Sequence, residues 1–138
     1  MKLKSASLGA VALMVTGLGF ATPAAAATPS CASSVAIWKS SSTYIQLPTT
    51  SGGSLTCEMS QGAEGPHVRA LQRALNHCYG AGLSVDTIFG PKTYNALRSA
   101  QAEAETGVDG IYGPNTRDAL EWPRLDKGGY FTGYCAKR

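Results

Sequence analysis

The chain has 138 residues, 43% hydrophobic and 15% charged, with a formal net charge of +3. It is too short for most multi-domain enzymes and too hydrophobic to remain disordered. Its first 27 residues have the three-part layout of a secretory signal peptide: basic Lys2 and Lys4, an apolar run from Leu8 to Phe20, and small residues ending Ala25-Ala26-Ala27. The apolar run, interrupted by Gly17 and Gly19, falls short of the ~20 residues of a spanning helix. No lipobox precedes Cys31, so export with cleavage near Ala27 is expected, without a lipid anchor. Removing the leader leaves ten basic side chains against nine acidic ones. That balance carries no basic cluster of the kind nucleic acid or an anionic membrane requires.

Residues 28–57 read as a short β extension. Val35 and Ile37 alternate with Ala36 and Trp38, and Tyr44-Ile45-Gln46-Leu47 is a second run. Pro48 to Gly53 is a turn-rich break before a possible third strand at Ser54 to Cys57. From Gly62 the pattern becomes helical. Pro66 suits a first helical position, and Val68, Leu71, Leu75 and Cys78 recur at three-to-four spacing. Gly80 and Gly82 then end the helix.

A repeat follows. Val85-Asp86-Thr87-Ile88-Phe89-Gly90-Pro91-Lys92-Thr93-Tyr94-Asn95-Ala96-Leu97 returns 23 positions later as Val108-Asp109-Gly110-Ile111-Tyr112-Gly113-Pro114-Asn115-Thr116-Arg117-Asp118-Ala119-Leu120. In each copy an aspartate can accept N–H groups of a tight loop, and Gly-Pro starts a helix. The first of these helices is expected to run to Gln101. With the helix from Pro66 the two units form a three-helix body from Gly62 to about Trp122. Pro123 onward is a Gly- and aromatic-containing tail anchored by Cys135.

The four cysteines, Cys31, Cys57, Cys78 and Cys135, all lie beyond the leader. An even count in a small exported chain reads as two disulfides. Four cysteines allow three pairings; the reach of the segment from Cys57 to Gly65 favours Cys57–Cys78, with Cys31–Cys135 tying the chain ends. No close C-x₂₋₄-C spacing or histidine pair indicates a metal site, and no cofactor is implied. Neither His67 nor His77 sits in a nucleophile motif. Nothing selects a catalytic pair among Glu58, Glu64, Glu103, Glu105 and Glu121. A non-enzyme is expected.

The pattern Gly62-x-x-Gly65-x-x-Val68-x-x-Leu71-Gln72-x-x-Leu75, the two repeat copies, and Gln101 between them resemble the peptidoglycan-binding domain type 1 family over about residues 58–123. Thr87 stands where that family usually has glycine. Ala100 replaces an aromatic, and Glu105-Thr106 replace Gly-Leu. The resemblance implies a mainly α fold: a three-helix peptidoglycan-binding-like domain built on the loop–helix repeat, preceded by a β-hairpin, stapled by two disulfides and closed by a tail from residue 124. It implies a secreted or wall-associated monomer that binds peptidoglycan, through glycan or stem peptide, without cutting it. The alternative is a secreted protein-interaction role on the same fold, as a protease inhibitor or envelope adaptor, with Pro48 to Gly53 as the presented loop.

Candidate ligand contacts are Arg69, Arg73, Asp86, Phe89, Asp109, Tyr112, Asn115 and Arg117, since aromatics offer flat surfaces and arginine bidentate charge. Each has a plainer role open to it. Phe89 and Tyr112 suit core plugs, the aspartates suit turn formation, and the arginines and Asn115 suit a solvated face. Trp38, Tyr44, Tyr130 and Tyr134 lie outside the resemblance and acquire no role from it.

Overall fold

In the computed structural model, which describes residues 19, 24 and 26–138, the chain first forms an antiparallel hairpin. Strand β1 (Ser33–Trp38) pairs with β2 (Thr43–Thr49), with Val35 opposite Leu47 and Ile37 opposite Ile45. This register gathers four apolar residues on one face; Ile45 and Leu47 are fully buried. Ser40 closes the turn by accepting the backbone N–H groups of Ser42 and Thr43 on its hydroxyl. The expected leader, except Gly19, Ala24, Ala26 and Ala27, lies outside the described residues. Ser54 to Cys57 is irregular rather than a third strand.

Three helices follow: α1 (Pro66–Tyr79), α2 (Pro91–Glu103) and α3 (Pro114–Ala119). Each begins with proline after a glycine that supplies no side-chain cap. Proline's fixed φ and missing N–H suit that first position, where the N–H would have no intrahelical partner. α1 ends where Gly80 turns left-handed and its N–H reaches the carbonyl of Leu75. Its buried side includes Val68, Leu71, Ala74 and Leu75, which meet Ile45, Leu47, Phe89, Leu97 and Trp122 in one core.

The mainly α expectation is overturned by the segment beyond α3. Strands β3 (Trp122–Asp126) and β4 (Phe131–Ala136) add to the hairpin, giving a four-stranded antiparallel sheet in the order β1-β2-β3-β4. The fold is helices packed on a sheet, joined by the pairs Thr43–Asp126 and Tyr44–Leu125 between chain ends. The physical cause is a tight turn in the tail together with apolar residues that the rest of the chain buries. Trp122 and Leu125 are buried, and Asp126 accepts the N–H groups of Gly128 and Tyr130 across a turn in which Gly129 has φ 81°.

The disulfides also correct the favoured pairing: they are Cys31–Cys57 and Cys78–Cys135. A parallel bridge between Ser30 and Glu58 brings Cys31 beside Cys57, with Cα atoms 5.0 Å apart. Cys78, near the end of α1, faces β4 instead, 5.9 Å from Cys135. Among the described residues no helix is long and apolar enough to cross a membrane.

Candidate functional site

Each repeat loop is organised by a buried glutamine from the preceding helix. Gln72 of α1 donates through Nε2 to Asp86 Oδ1, the Ile88 carbonyl and Thr93 Oγ1, and its Oε1 accepts the Thr87 N–H. Gln101 of α2 does the same with Asp109, Ile111 and Thr116, and its Oε1 accepts the N–H groups of Asp109 and Gly110. The aspartates also accept the N–H two residues on, from Ile88 and Ile111. These bonds hold the Asp86 carboxyl below its ordinary pKa, with Gln72 the larger cause and the Ile88 N–H the next. Both aspartates therefore form turns, and Thr93 and Thr116 anchor the glutamines.

The extended chain sends adjacent side chains to opposite sides. Phe89 and Tyr112 point inward and are buried, Tyr112 meeting Trp122 edge-on at 6.0 Å. Their neighbours Ile88 and Ile111 point outward, 47% and 41% exposed, and Val85 and Val108 are exposed at matching places in the two copies. Large apolar side chains thus stand in water at equivalent positions of the two copies. These four were not among the sequence candidates. The adjacent apolar pairs Ile88-Phe89 and Ile111-Tyr112 required one member of each to face out, but residue type did not identify which.

The segment from Glu58 to Gly65 lies between the two loops and pairs with both. Met59 exchanges backbone hydrogen bonds with Tyr112, Ala63 accepts from Phe89, and Gly62 and Gly65 donate to Phe89 and Thr87. Beside it runs a groove of about 480 Å³ bordered by Ile111, Met59, Ser60, Glu58, Glu64 and His67. The Glu58 and Glu64 residues are exposed, whereas His67 is buried and its Nδ1 has no partner. Burial lowers the His67 pKa, opposed by the Ala32 backbone. A neutral imidazole thus underlies a groove whose lining residues include two carboxylates and no lysine or arginine. Such a groove accepts apolar groups and ammonium groups.

The remaining sequence candidates scatter. Arg117 is buried: it donates to both Asp118 carboxylate oxygens at 2.8 Å and to the Leu55 carbonyl at 2.7 Å. It clasps α3 to the β extension and offers little to a ligand. Asn115 is exposed at the start of α3. Arg69 is exposed on α1, and Arg73 donates to the Gly129 carbonyl in the β3–β4 turn. The structure therefore unites Asp86 with Phe89 and Asp109 with Tyr112 in two similar loops, while Arg73 reaches the β3–β4 turn and Arg69 stands exposed on α1. Among the described residues no three His, Cys, Asp or Glu side chains group as metal ligands.

Residues 64–120 match the family described as "Putative peptidoglycan binding domain". The SleB N-terminal domain is 35% identical, with 45% of this chain and 85% of that chain covered, at a TM-score of 0.43. A peptidoglycan-binding protein from Clostridioides difficile, solved in complex with glutamine hydroxamate, is 30% identical at a TM-score of 0.47. There the match covers 62% of this chain and 54% of that one, so the chain spans about half that protein's length. No curated protein matches the chain significantly.

Proposed function

Residues 64–120 belong to the peptidoglycan binding domain family, and from that premise we propose that the chain is a secreted, non-catalytic, monomeric module that holds to bacterial peptidoglycan. The leader is removed near Ala27, and residues 28–57, 58–123 and 124–138 act as an N-terminal extension, the binding body and a disulfide-tied tail. The observation that carries this proposal is the pairing of outward isoleucines, Ile88 and Ile111, on the two loops that flank Glu58 to Gly65. The isoleucines present apolar surface to sugar faces and acetamido methyls. Glu58 and Glu64 offer acceptors to free amino groups on stem peptides. The family is described as a binding domain, which supports a module that holds the wall without cutting it.

Affinity for a single site is weak, because a few exposed contacts must offset the several kcal/mol lost on association. A dense polymer retains such a binder by repeated rebinding. The test is co-sedimentation with insoluble purified peptidoglycan. Ile88→Ser and Ile111→Ser should each lower retention several-fold, and together abolish it, while thermal stability holds. Retention unchanged in the double variant would overturn the site. Clearing of wall turbidity by the purified protein would overturn the non-catalytic role. Substitutions at Tyr112 or Arg117 report on folding, since both side chains are inside.

A further inference from the structure

The basic stripe of α1 and the aromatic residues of the sheet meet on a second surface, away from the groove. Arg69, Arg73 and His77 recur at four-residue spacing and so share one helix face. His77 stacks on Phe131 of β4, with ring centroids 4.4 Å apart and planes 25° from parallel. Arg73 donates through Nη2 to the Gly129 carbonyl. The Tyr44 hydroxyl lies 3.5 Å from where a Cβ on Gly129 would stand. Tyr44 in turn packs against Trp38, centroids 5.1 Å apart, and Trp38 is 55% exposed. These contacts link Arg73 through the β3–β4 turn to Tyr44 and Trp38, and Arg69 lies one helical turn from Arg73 on the same face of α1. Ala32 borders the groove at the other end of β1, six residues from Trp38, or roughly 20 Å along the strand.

The guanidiniums of this strip, those of Arg69 and Arg73, are in no ion pair among the described residues; the pairs present join Arg117 and Arg138 to Asp118. The nearby Asp126 carboxylate has one oxygen occupied by the N–H groups of Gly128 and Tyr130. Burial, then Arg73, lowers the pKa of His77, so the cationic groups are the two guanidiniums. Arginine forks bind carboxylates in bidentate fashion, and exposed aromatic rings offer flat apolar faces.

We propose that this strip is a second binding surface, for an acidic saccharide chain whose sugars carry carboxylates. Sugar rings lie against Trp38 and Tyr44 while their carboxylates reach Arg73 and Arg69. The occupant follows from charge complementarity: a neutral glycan leaves the guanidiniums unused, and a bare polyanion leaves the rings unused. This surface is independent of the groove proposed for peptidoglycan and lies largely on elements outside residues 64–120.

The test titrates the intact protein with oligogalacturonate, with a neutral galactan oligomer and with polyphosphate, following backbone and indole chemical shifts. Oligogalacturonate should shift the Trp38 indole and the α1 stripe and leave Ile88 and Ile111 unmoved. Trp38→Ala and Arg69→Gln, both at exposed positions, should each weaken it at least five-fold at unchanged melting temperature. Equal binding of the neutral oligomer would overturn the role of the arginines. Polyphosphate binding as tight as oligogalacturonate, and indifferent to Trp38→Ala, would reduce the strip to a charged patch. Shifts confined to the groove, or none with any probe, would overturn the proposal outright.

Discussion

Tyr112 and Phe89 fill the same place in their loops, but only Tyr112 carries a hydroxyl, and that oxygen is buried without a partner. Burial raises its pKa strongly, so the phenol stays neutral. An unpaired buried hydroxyl costs about 1–3 kcal/mol, and replacing it with hydrogen removes the penalty. Tyr112→Phe is therefore expected to raise stability by about 1 kcal/mol or more, read as an upward shift in melting temperature by calorimetry. A second residue-scale contrast lies two residues earlier in each loop. Thr87 and Gly110 are equivalent and both left-handed, with φ of 67° and 70°. Threonine is strained there and glycine is not. Thr87→Gly should stabilise by roughly 1 kcal/mol once the strain is set against glycine's added chain entropy. Gly110→Ala should do the opposite, because its Cβ would collide with the Tyr94 ring.

The loop–helix elements depend on two glutamines. Gln101→Ala leaves the Gly110 N–H, Thr116 and the Ile111 carbonyl without their shared partner, several of them out of water. A loss of roughly 3 kcal/mol is expected; denaturant unfolding of the variant measures it. Acid should act on the helices and their contacts in two stages. The folded-state pKa values of His67 and His77 lie below the ordinary 6.5, so below that pH the unfolded chain takes up protons that the fold resists. Stability that is complete above pH ~6.5 then declines until pH passes the lower folded values, and levels off. Asp86 and Asp118, both depressed below 3.8, contribute stability present above that value and lost as pH falls through their folded pKa values. Melting temperature measured from pH 8 to 2 should fall in these two windows. His67→Gln should shrink the first, and a further His77→Gln should remove it.

At the scale of the whole molecule, two bridges secure a sheet whose strands come from both ends of the described chain. Cys31–Cys57 closes 26 residues and Cys78–Cys135 closes 57. Chain entropy alone assigns them about 3.5 and about 4 kcal/mol. Replacing Cys78 and Cys135 by serine should therefore be the more destabilising of the two removals. It should also raise hydrogen exchange first in β3 and β4, which that bridge fastens to α1. Equal exchange across all four strands would show that packing around Trp122 and Leu125 suffices without it.

Much of this was legible in the residues themselves. Gly-Pro pairs at 65–66, 90–91 and 113–114 mark three helix starts because proline's geometry is local and needs no distant partner. The repeat likewise announced two similar loops, and the aspartates' turn-forming role was among their open readings, since each bonds an N–H two residues away. Alternation placed Val35 and Ile37 on one strand face for the same local reason. What the sequence could not supply was decided between distant segments. β3 joins β2 through Thr43–Asp126 and Tyr44–Leu125, a closure across more than eighty residues whose benefit lies in burying Trp122 and Leu125. The cysteine pairing followed from that closure and from the Ser30–Glu58 bridge, not from spacing. The packing of the whole core fixed what water reaches. Phe89, Tyr112 and Arg117 lie inside, Ile88 and Ile111 outside, and Trp38 stays exposed against Tyr44. Exposure belongs to the packed molecule, because a side chain is buried only by what other parts of the chain bring against it.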